Sequence, residues 1–395
     1  MYKRIYVAFF IMTAVLGILI AKIGIINLNA SFSPAANNVS SRSILLDTSR
    51  GMIYDRNMKK IVNTQTENLT VCLPSPDALK LVEKYLSDDE KQKVYNDMSK
   101  GNPCLLYLPQ KFNEKLVSTA SLSERYSDYQ PCVHIIGHLD ENGNGAMGLE
   151  KAYDNYLNLQ SGTLKAVWSV DNILWGNGLS FEGDNYLSPA GIQLTINLDI
   201  QKIAETALNK HQIQQGAVVI LDSETNEILA MASAPLFNPR NISASVNDGD
   251  SPFLNRAITP YSVGSVFKPF VASVLIENNM DPTYNCVGKI EIGSTTFRCN
   301  NNNAHGVVNM TDAMEDSCNS YFISAGQKIG KEKLLSLCSD FGLGKSLELA
   351  DNLNTRSGTL PDESSLSSPQ ALANLSFGQG KLLASPLQLA VAYSV

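Results

Sequence analysis

The pattern of apolar and polar positions divides the chain into stretches of different character. Residues 5 to 21 carry no charge, and if Lys22 reaches to the interface the apolar run continues to Ile26. That is long enough for a helix to cross a hydrocarbon core of about 30 Å. Lys3 and Arg4 precede it, and short basic flanks stay in the cytoplasm, so the rest of the chain is expected outside. A cleaved signal peptide is the competing reading, but its apolar region spans about 7–15 residues and ends at a small-x-small site. No clear site follows Lys22, Asn29-Ala30 aside. The expectation is a cytoplasmic tail over 1–4 and an uncleaved anchor over 5–26. From there to about residue 190 short strand-like runs alternate with turns, with one amphipathic helical stretch from Pro76 to Met98. Polar, glycine-bearing Glu182 to Gly191 reads as a linker.

Beyond the linker the periodicities sharpen. Ile192 to Ile196 alternates as a strand, Asp199 to Lys210 as an amphipathic helix, and Gly216–Leu221 and Glu227–Ala232 as two strands joined by a polar turn. Ser265 opens a helix whose Val266, Phe267, Phe270, Val271, Val274 and Leu275 leave little polar face, so it should be buried between layers. Lys289–Ile292 and Thr295–Arg298 alternate around Gly293-Ser294 as a hairpin. Strands followed by several helices predict a mixed, α+β domain with a central helix.

Composition narrows the function. The 395 residues suggest two to three domains. A balance of 31 basic against 38 acidic residues, net −7, excludes a nucleic-acid binder that relies on phosphate contacts. Seven cysteines without a CxxC pair do not make a cysteine framework. In an exported chain a disulfide between Cys286 and Cys299, near the open end of the hairpin, is one reading. A metal site using Cys286, Cys299 and His305 is the disfavoured one, because no fourth ligand has the usual spacing. The uncapped apolar run from Leu387 to Val395 looks like a cut through a helix, so the catalytic domain is expected to be incomplete.

The chemistry centres on Ser265-Val-Phe-Lys268, the one Ser-x-x-Lys in the chain. Three residues apart on a helix, serine and lysine share a face. A serine hydroxyl needs a base to take its proton, and a lysine can serve if burial lowers its pKa. An oxyanion near Ser265 would also meet the free N–H groups of the helix start. Alone the motif is weak: a capping serine and a snorkelling lysine would produce it. Gly264 before it, and Ser317-Cys-Asn319 at a break between two helical patterns, change the odds. Ser317 offers a hydroxyl that can pass a proton, Asn319 an amide that can hold a substrate carbonyl or the lysine.

Ser-x-x-Lys followed by Ser-x-Asn resembles the serine acyl-transferases comprising penicillin-binding proteins and serine β-lactamases. The flanking words resemble the class B, monofunctional transpeptidase group in particular. They are Arg50-Gly-Met-Ile-Tyr-Asp-Arg56, Gly148-Leu-Glu150 with Tyr153 and Asp154, Leu194 to Gln201, Asn255-Arg-Ala257, His305-Gly306, Gly358-Thr-Leu-Pro361, and Gly378-Gln-Gly380 with Pro386-Leu-Gln388. The resemblance runs in order from about residue 45 to the end. It implies a β-lactamase-like transpeptidase domain over 191–395, with an antiparallel sheet and a central helix. Before it would stand an elongated, mostly β pedestal or dimerisation-type domain over 27–190. It implies cross-linking of peptidoglycan D-Ala-D-Ala stem peptides through a serine acyl-enzyme, with β-lactams as inhibitors. Ser265 would be the nucleophile, Lys268 its base, Ser317 a proton carrier and Asn319 an orienting group. No metal or organic cofactor is implied. Partners would be the membrane, a SEDS-type glycosyltransferase and other wall-synthesis proteins.

The chain departs from the family pattern at three places. Val263-Gly264 replaces Pro-Gly, which could loosen the nucleophile turn, and Asn226-Glu227 replaces Gly-Glu, tolerable because Asn accepts left-handed turns. The Lys-Ser/Thr-Gly triplet that lines the family's site is absent up to Val395, so poor acylation by penicillin is expected of these 395 residues. Two other activities fit the motif: a β-lactamase, against which the long N-terminal module speaks, and a non-catalytic penicillin-binding sensor or scaffold. Asp340-Phe-Gly342 and Gly344-Lys-Ser346 imitate kinase and phosphate-loop words without their context.

Overall fold

The computed structural model describes residues 12–19, 22, 41–159, 162–169, 174–182, 186 and 190–394. Most of the expected 5–26 anchor lies outside them. Among the described residues no helix is long and apolar enough to cross a membrane.

The chain forms two compact units, and they do not follow one linear boundary. One unit takes residues 1–50, 66–124 and 160–189; the other takes 51–65, 125–159 and 190–395. The span 27–190 expected as one pedestal thus lends two segments to the second unit.

The first unit holds two three-stranded sheets. In one, Gln65–Cys72 lies between Cys104–Tyr107 and Val117–Glu124; in the other, Thr163–Ser169 lies between Ser41–Thr48 and Leu174–Glu182. Strict alternation buries Leu164, Ala166 and Trp168 on one face. The helical stretch expected over 76–98 is two helices, Pro76–Val82 and Asp88–Ser99. Ser87 starts the second afresh: its hydroxyl accepts from the Glu90 N–H while the Glu90 carboxylate accepts from the Ser87 N–H.

In the second unit Met52–Tyr54 (β1) pairs in parallel with Gly191–Gln193 (β2). Asp55 follows β1. Its Oδ1 accepts from the backbones of Asn57 and Lys59, and its Oδ2 from the N–H of Leu198, the first residue of helix α1 (Leu198–Lys210). Asn197 caps the same helix start. Strands β3 (Gly216–Leu221) and β4 (Ile228–Ala234) form an antiparallel pair on which α1 packs. The turn between them places Asn226 at φ +61°, the left-handed conformation expected where relatives use glycine, and Glu227 accepts from Arg56 at 3.2 Å.

Next come β5 (Tyr261–Ser262) and α2 (Lys268–Glu277), the expected central helix, with Val271 and Leu275 fully buried. Strand β6 (Tyr284–Cys286) is followed by the hairpin β7 (Lys289–Ile292) and β8 (Thr295–Arg298), and then by β9 (Gly306–Val308), which pairs with β6. Helices α3 (Met310–Glu315), α4 (Asn319–Ile329) and α5 (Lys331–Asp340) surround α2, and Gly342 at φ +73° lies just past the end of α5, as expected of a C-terminal glycine. Helix α6 (Pro369–Leu375) packs on α4, β10 (Leu383–Ala384) pairs with β5, and α7 (Pro386–Tyr393) lies on β3. One core joins these helices through Phe267, Val271, Leu275, Phe322, Leu334 and Leu375. The architecture is mixed α+β, as the sequence predicts.

Candidate active site

Ser265 sits in a short 3-10 turn, Gly264–Phe267, that runs into α2. Gly264 adopts φ +65°, and its N–H donates to the Gly378 carbonyl at 2.7 Å. Val263 has φ −73°, within the range a proline ring would impose. A proline ring would fit this φ, so the valine sits in a conformation that proline could also adopt. Pro269 falls in the first turn of α2, where its missing donor costs no helical hydrogen bond. Ser265 is exposed, and among the described residues nothing hydrogen-bonds its hydroxyl. Its backbone N–H is one of those a helix start leaves without an intrahelical acceptor.

One turn further on, Lys268 is 1% exposed. Its ammonium group places all three protons: on the Ser317 carbonyl at 2.6 Å, the Ser317 Oγ at 2.8 Å and the Asn319 Oδ1 at 2.7 Å. The Phe322 ring covers it at 5.7 Å. Burial pulls its pKa down from 10.5 to about 8, which brings the free-amine form closer to the neutral range. The structure brings Lys268, Ser317 and Asn319 into direct contact, and places Ser265 on the same turn without a bond to the lysine.

The geometry of Ser317-Cys-Asn319 follows from its position between α3 and α4. Ser317 has φ +52°, a left-handed conformation costing about 1–3 kcal/mol in a non-glycine residue. That bend turns both its carbonyl and its hydroxyl toward Lys268. The Asn319 amide is held from the other side by donating to the Arg298 carbonyl at the end of β8, at 2.9 Å. Strain on one residue and a cross-brace on the other fix the pair that holds the lysine.

Two residues inside the motif words make contacts that the words do not announce. Gly378, at φ +78°, leaves so little room that a Cβ would lie 2.0 Å from the Gly264 carbonyl oxygen. Cys318 packs with Cys286, Cys299 and His305 so that the four ligand atoms lie within 4.8 Å of one another. Cys286 and Cys299 are free thiols with sulfurs 3.7 Å apart, so of the two readings left open for this pair the disulfide is not the one formed. The fourth group of ligand type, which spacing did not show, is Cys318, inside the Ser-x-Asn word itself. Spacing did not reveal it because β9 and α3 separate it from His305.

Residues 216–395 match the family described as "Penicillin binding protein transpeptidase domain". This segment belongs to that family. Over 387 residues the chain is 26% identical to stage V sporulation protein D of Bacillus subtilis, covering 90% of the chain and 58% of the relative. It is 26% identical over 275 residues to the peptidoglycan D,D-transpeptidase FtsI of Escherichia coli, covering 68% and 45%. The chain thus spans about half the length of these curated relatives. A solved penicillin-binding protein, PBP2 of Helicobacter pylori, superposes with a TM-score of 0.63 at 22% identity, over 88% of the chain and 76% of that protein. The fold of the transpeptidase domain is shared with it.

The glycine contact makes the transpeptidase turn testable. Gly378→Ala must push the Gly264 carbonyl aside, and with it Ser265. In the protein supplied with a Lys-Ser/Thr-Gly strand, acylation of Ser265 by penicillin is expected to slow by about 10²-fold relative to the unsubstituted form, with the far-ultraviolet circular dichroism unchanged. A variant acylated at the parent rate would show that Gly378 does not position the nucleophile.

Proposed function

We propose that the protein is a membrane-anchored peptidoglycan D,D-transpeptidase. The reading rests above all on one observation: a buried lysine, three residues after an unbonded serine, bound at once to both polar residues of Ser-x-Asn. In its free-amine form Lys268 takes the proton of Ser265 as Oγ attacks the carbonyl between the two terminal D-alanines of a stem peptide. A tetrahedral oxyanion forms near the Ser265 N–H. It collapses as D-alanine leaves with a proton delivered through Ser317, and an acyl-Ser265 ester remains. An amine of a neighbouring stem attacks that ester and gives its proton to Lys268, again a free amine, which passes it to Ser265 as the serine oxygen leaves. Asn319 orients the lysine and the substrate amide.

The whole-chain assignment draws on the relatives' names. The Escherichia coli relative is a peptidoglycan D,D-transpeptidase. The uncharged stretch from residue 5 to 21 supports a single-pass anchor with the N-terminus in the cytoplasm and the catalytic unit outside. A second solved structure similar to this chain is PBP2 of Helicobacter pylori in complex with MreC. It supports a partner among the wall-synthesis proteins, alongside the expected SEDS-type glycosyltransferase.

The 395 residues contain no Lys-Ser/Thr-Gly triplet, so the test uses the protein supplied with a strand that carries one. Incubated with a D-Ala-D-Ala stem peptide and an acceptor amine, it should yield cross-linked product and free D-alanine. Ser265→Ala should yield neither. Rapid hydrolysis of nitrocefin would instead identify a β-lactamase. Normal wall growth in cells carrying only Ser265→Ala would identify a scaffold.

A further inference from the structure

The second unit contains a cavity of about 200 Å³ where its segment 125–159 meets its segment 190–395. The walls are aliphatic. Leu149, Ile192, Leu194, Ile196 and Met231 line it, and Leu149, Ile196 and Met231 are buried. Gln193 and Thr195 border it from exposed positions, which gives a route in from solvent.

One polar side chain lies deep in this lining. His134 is 6% exposed, and its Nε2 stands 2.7 Å from the Pro252 carbonyl. A carbonyl only accepts, so Nε2 carries the ring proton and Nδ1 is left as an acceptor. Among the described residues nothing hydrogen-bonds that Nδ1. The Phe237 ring meets the imidazole edge-on, with centroids 5.4 Å apart and planes at 88°, and this contact fixes the ring's orientation. Burial, helped by the charge of Arg256, pulls the His134 pKa down to about 4. The ring is therefore neutral at physiological pH and keeps its lone pair.

A buried acceptor without a donor is costly, and the neighbouring polar groups are engaged elsewhere. The Thr195 hydroxyl donates to the Ile228 carbonyl at 2.9 Å, the Gln193 amide donates to the Arg56 carbonyl at 2.9 Å, and the Asn255 Oδ1 accepts from the Ala257 N–H at 3.1 Å. A trapped water would need two to four polar partners, which aliphatic walls do not supply. The space suits a small ring system instead: a dry cavity of about 150 Å³ lined by leucine, isoleucine and phenylalanine takes up benzene. No charged side chain lines the cavity among the described residues, so an ionic ligand would be left without a counter-charge.

We propose that this cavity binds a compact apolar molecule of one or two rings through a single N–H or O–H donated to His134 Nδ1. The ligand touches His134 and Leu149 on one segment and the residues around β2 and β4 on the other, so it holds the two segments together. Neither Ser265 nor Lys268 lines the cavity, so this site is separate from the acyl-transfer centre. A ligand that binds only the folded unit should raise its melting temperature as its concentration rises.

The test does not depend on the acyl-transfer reading. Indole and indene are the probes, two molecules of nearly the same shape in which a CH2 of indene stands where indole has its N–H. The 395-residue chain, in lipid nanodiscs and with ¹⁵N-labelled histidine, is titrated with each. Long-range ¹H–¹⁵N spectra should show His134 protonated at Nε2. Its Nδ1 resonance should move saturably with indole, and indole should bind about tenfold more tightly than indene on a free-concentration scale. Ser265→Ala should bind indole as the parent does. Ala350→Phe, which places a ring in the space from the cavity wall, should abolish the response. If that variant fails to fold, the indole–indene comparison in the parent chain still decides. Three results would overturn the proposal: an Nδ1 resonance unmoved by saturated indole, equal affinity for indene, or an indole response retained in folded Ala350→Phe.

Discussion

Replacing Lys268 with methionine is expected to slow acylation of Ser265 by penicillin by about 10²- to 10⁴-fold. Methionine keeps most of the side-chain volume but cannot accept a proton. The loss should therefore fall on the chemical step and not on folding, because the change also removes a buried cation whose pKa burial already depresses to about 8. Stopped-flow measurement of the acylation rate, paired with thermal melting, separates the two effects. A variant that acylates normally would assign the base to another group. One that fails to fold would make Lys268 a structural residue.

A second large effect is expected far from the nucleophile. Glu150 is wholly buried and faces Arg125, with an Nη2 to Oε1 distance of 2.7 Å, and Tyr126 donates to the same oxygen at 3.1 Å. Arg125 also donates to the Gly51 carbonyl and the Asn63 Oδ1 at 2.7 and 3.1 Å. This one guanidinium joins two segments of the second unit, 51–65 and 125–159, that are distant in sequence. Glu150→Ala leaves it buried without its counter-charge and should destabilise the unit by about 3–5 kcal/mol. Replacing both residues with apolar ones should cost less than the single change. Chemical denaturation of the parent, the single variant and the double variant checks this. A single variant within 1 kcal/mol of the parent would show that the pair is not a fastener.

These residues also show which parts of the molecule the sequence made legible. Ser265, Lys268, Ser317 and Asn319 were readable because a lysine three residues after a serine shares its helix face, and because Ser-x-Asn stands at a helix break. Periodicity located α1 and the β7–β8 hairpin because each turns one regular face inward, and α2 because it is apolar nearly all round. Local pattern could not show long-range placement. Nothing near Glu150 says that its partner is Arg125, and nothing near residue 52 says that it will pair with residue 191 of the same unit. The break at 83–87 was missed because both helices present apolar residues in one continuous period, and the Ser87 capping box decides where the second begins. Cys318 was read only as the middle of a motif, since its three companions are brought to it by tertiary folding.

The central claim is that Ser265 is a nucleophile activated by Lys268 in a penicillin-binding acyl-transferase site. The direct measurement is mass spectrometry of peptides from the protein, supplied with a Lys-Ser/Thr-Gly strand and exposed to benzylpenicillin. The account predicts one penicilloyl adduct on the peptide containing Ser265, absent from Ser265→Ala and strongly slowed in Lys268→Met. An adduct on another residue, or one that persists in Ser265→Ala, would contradict it.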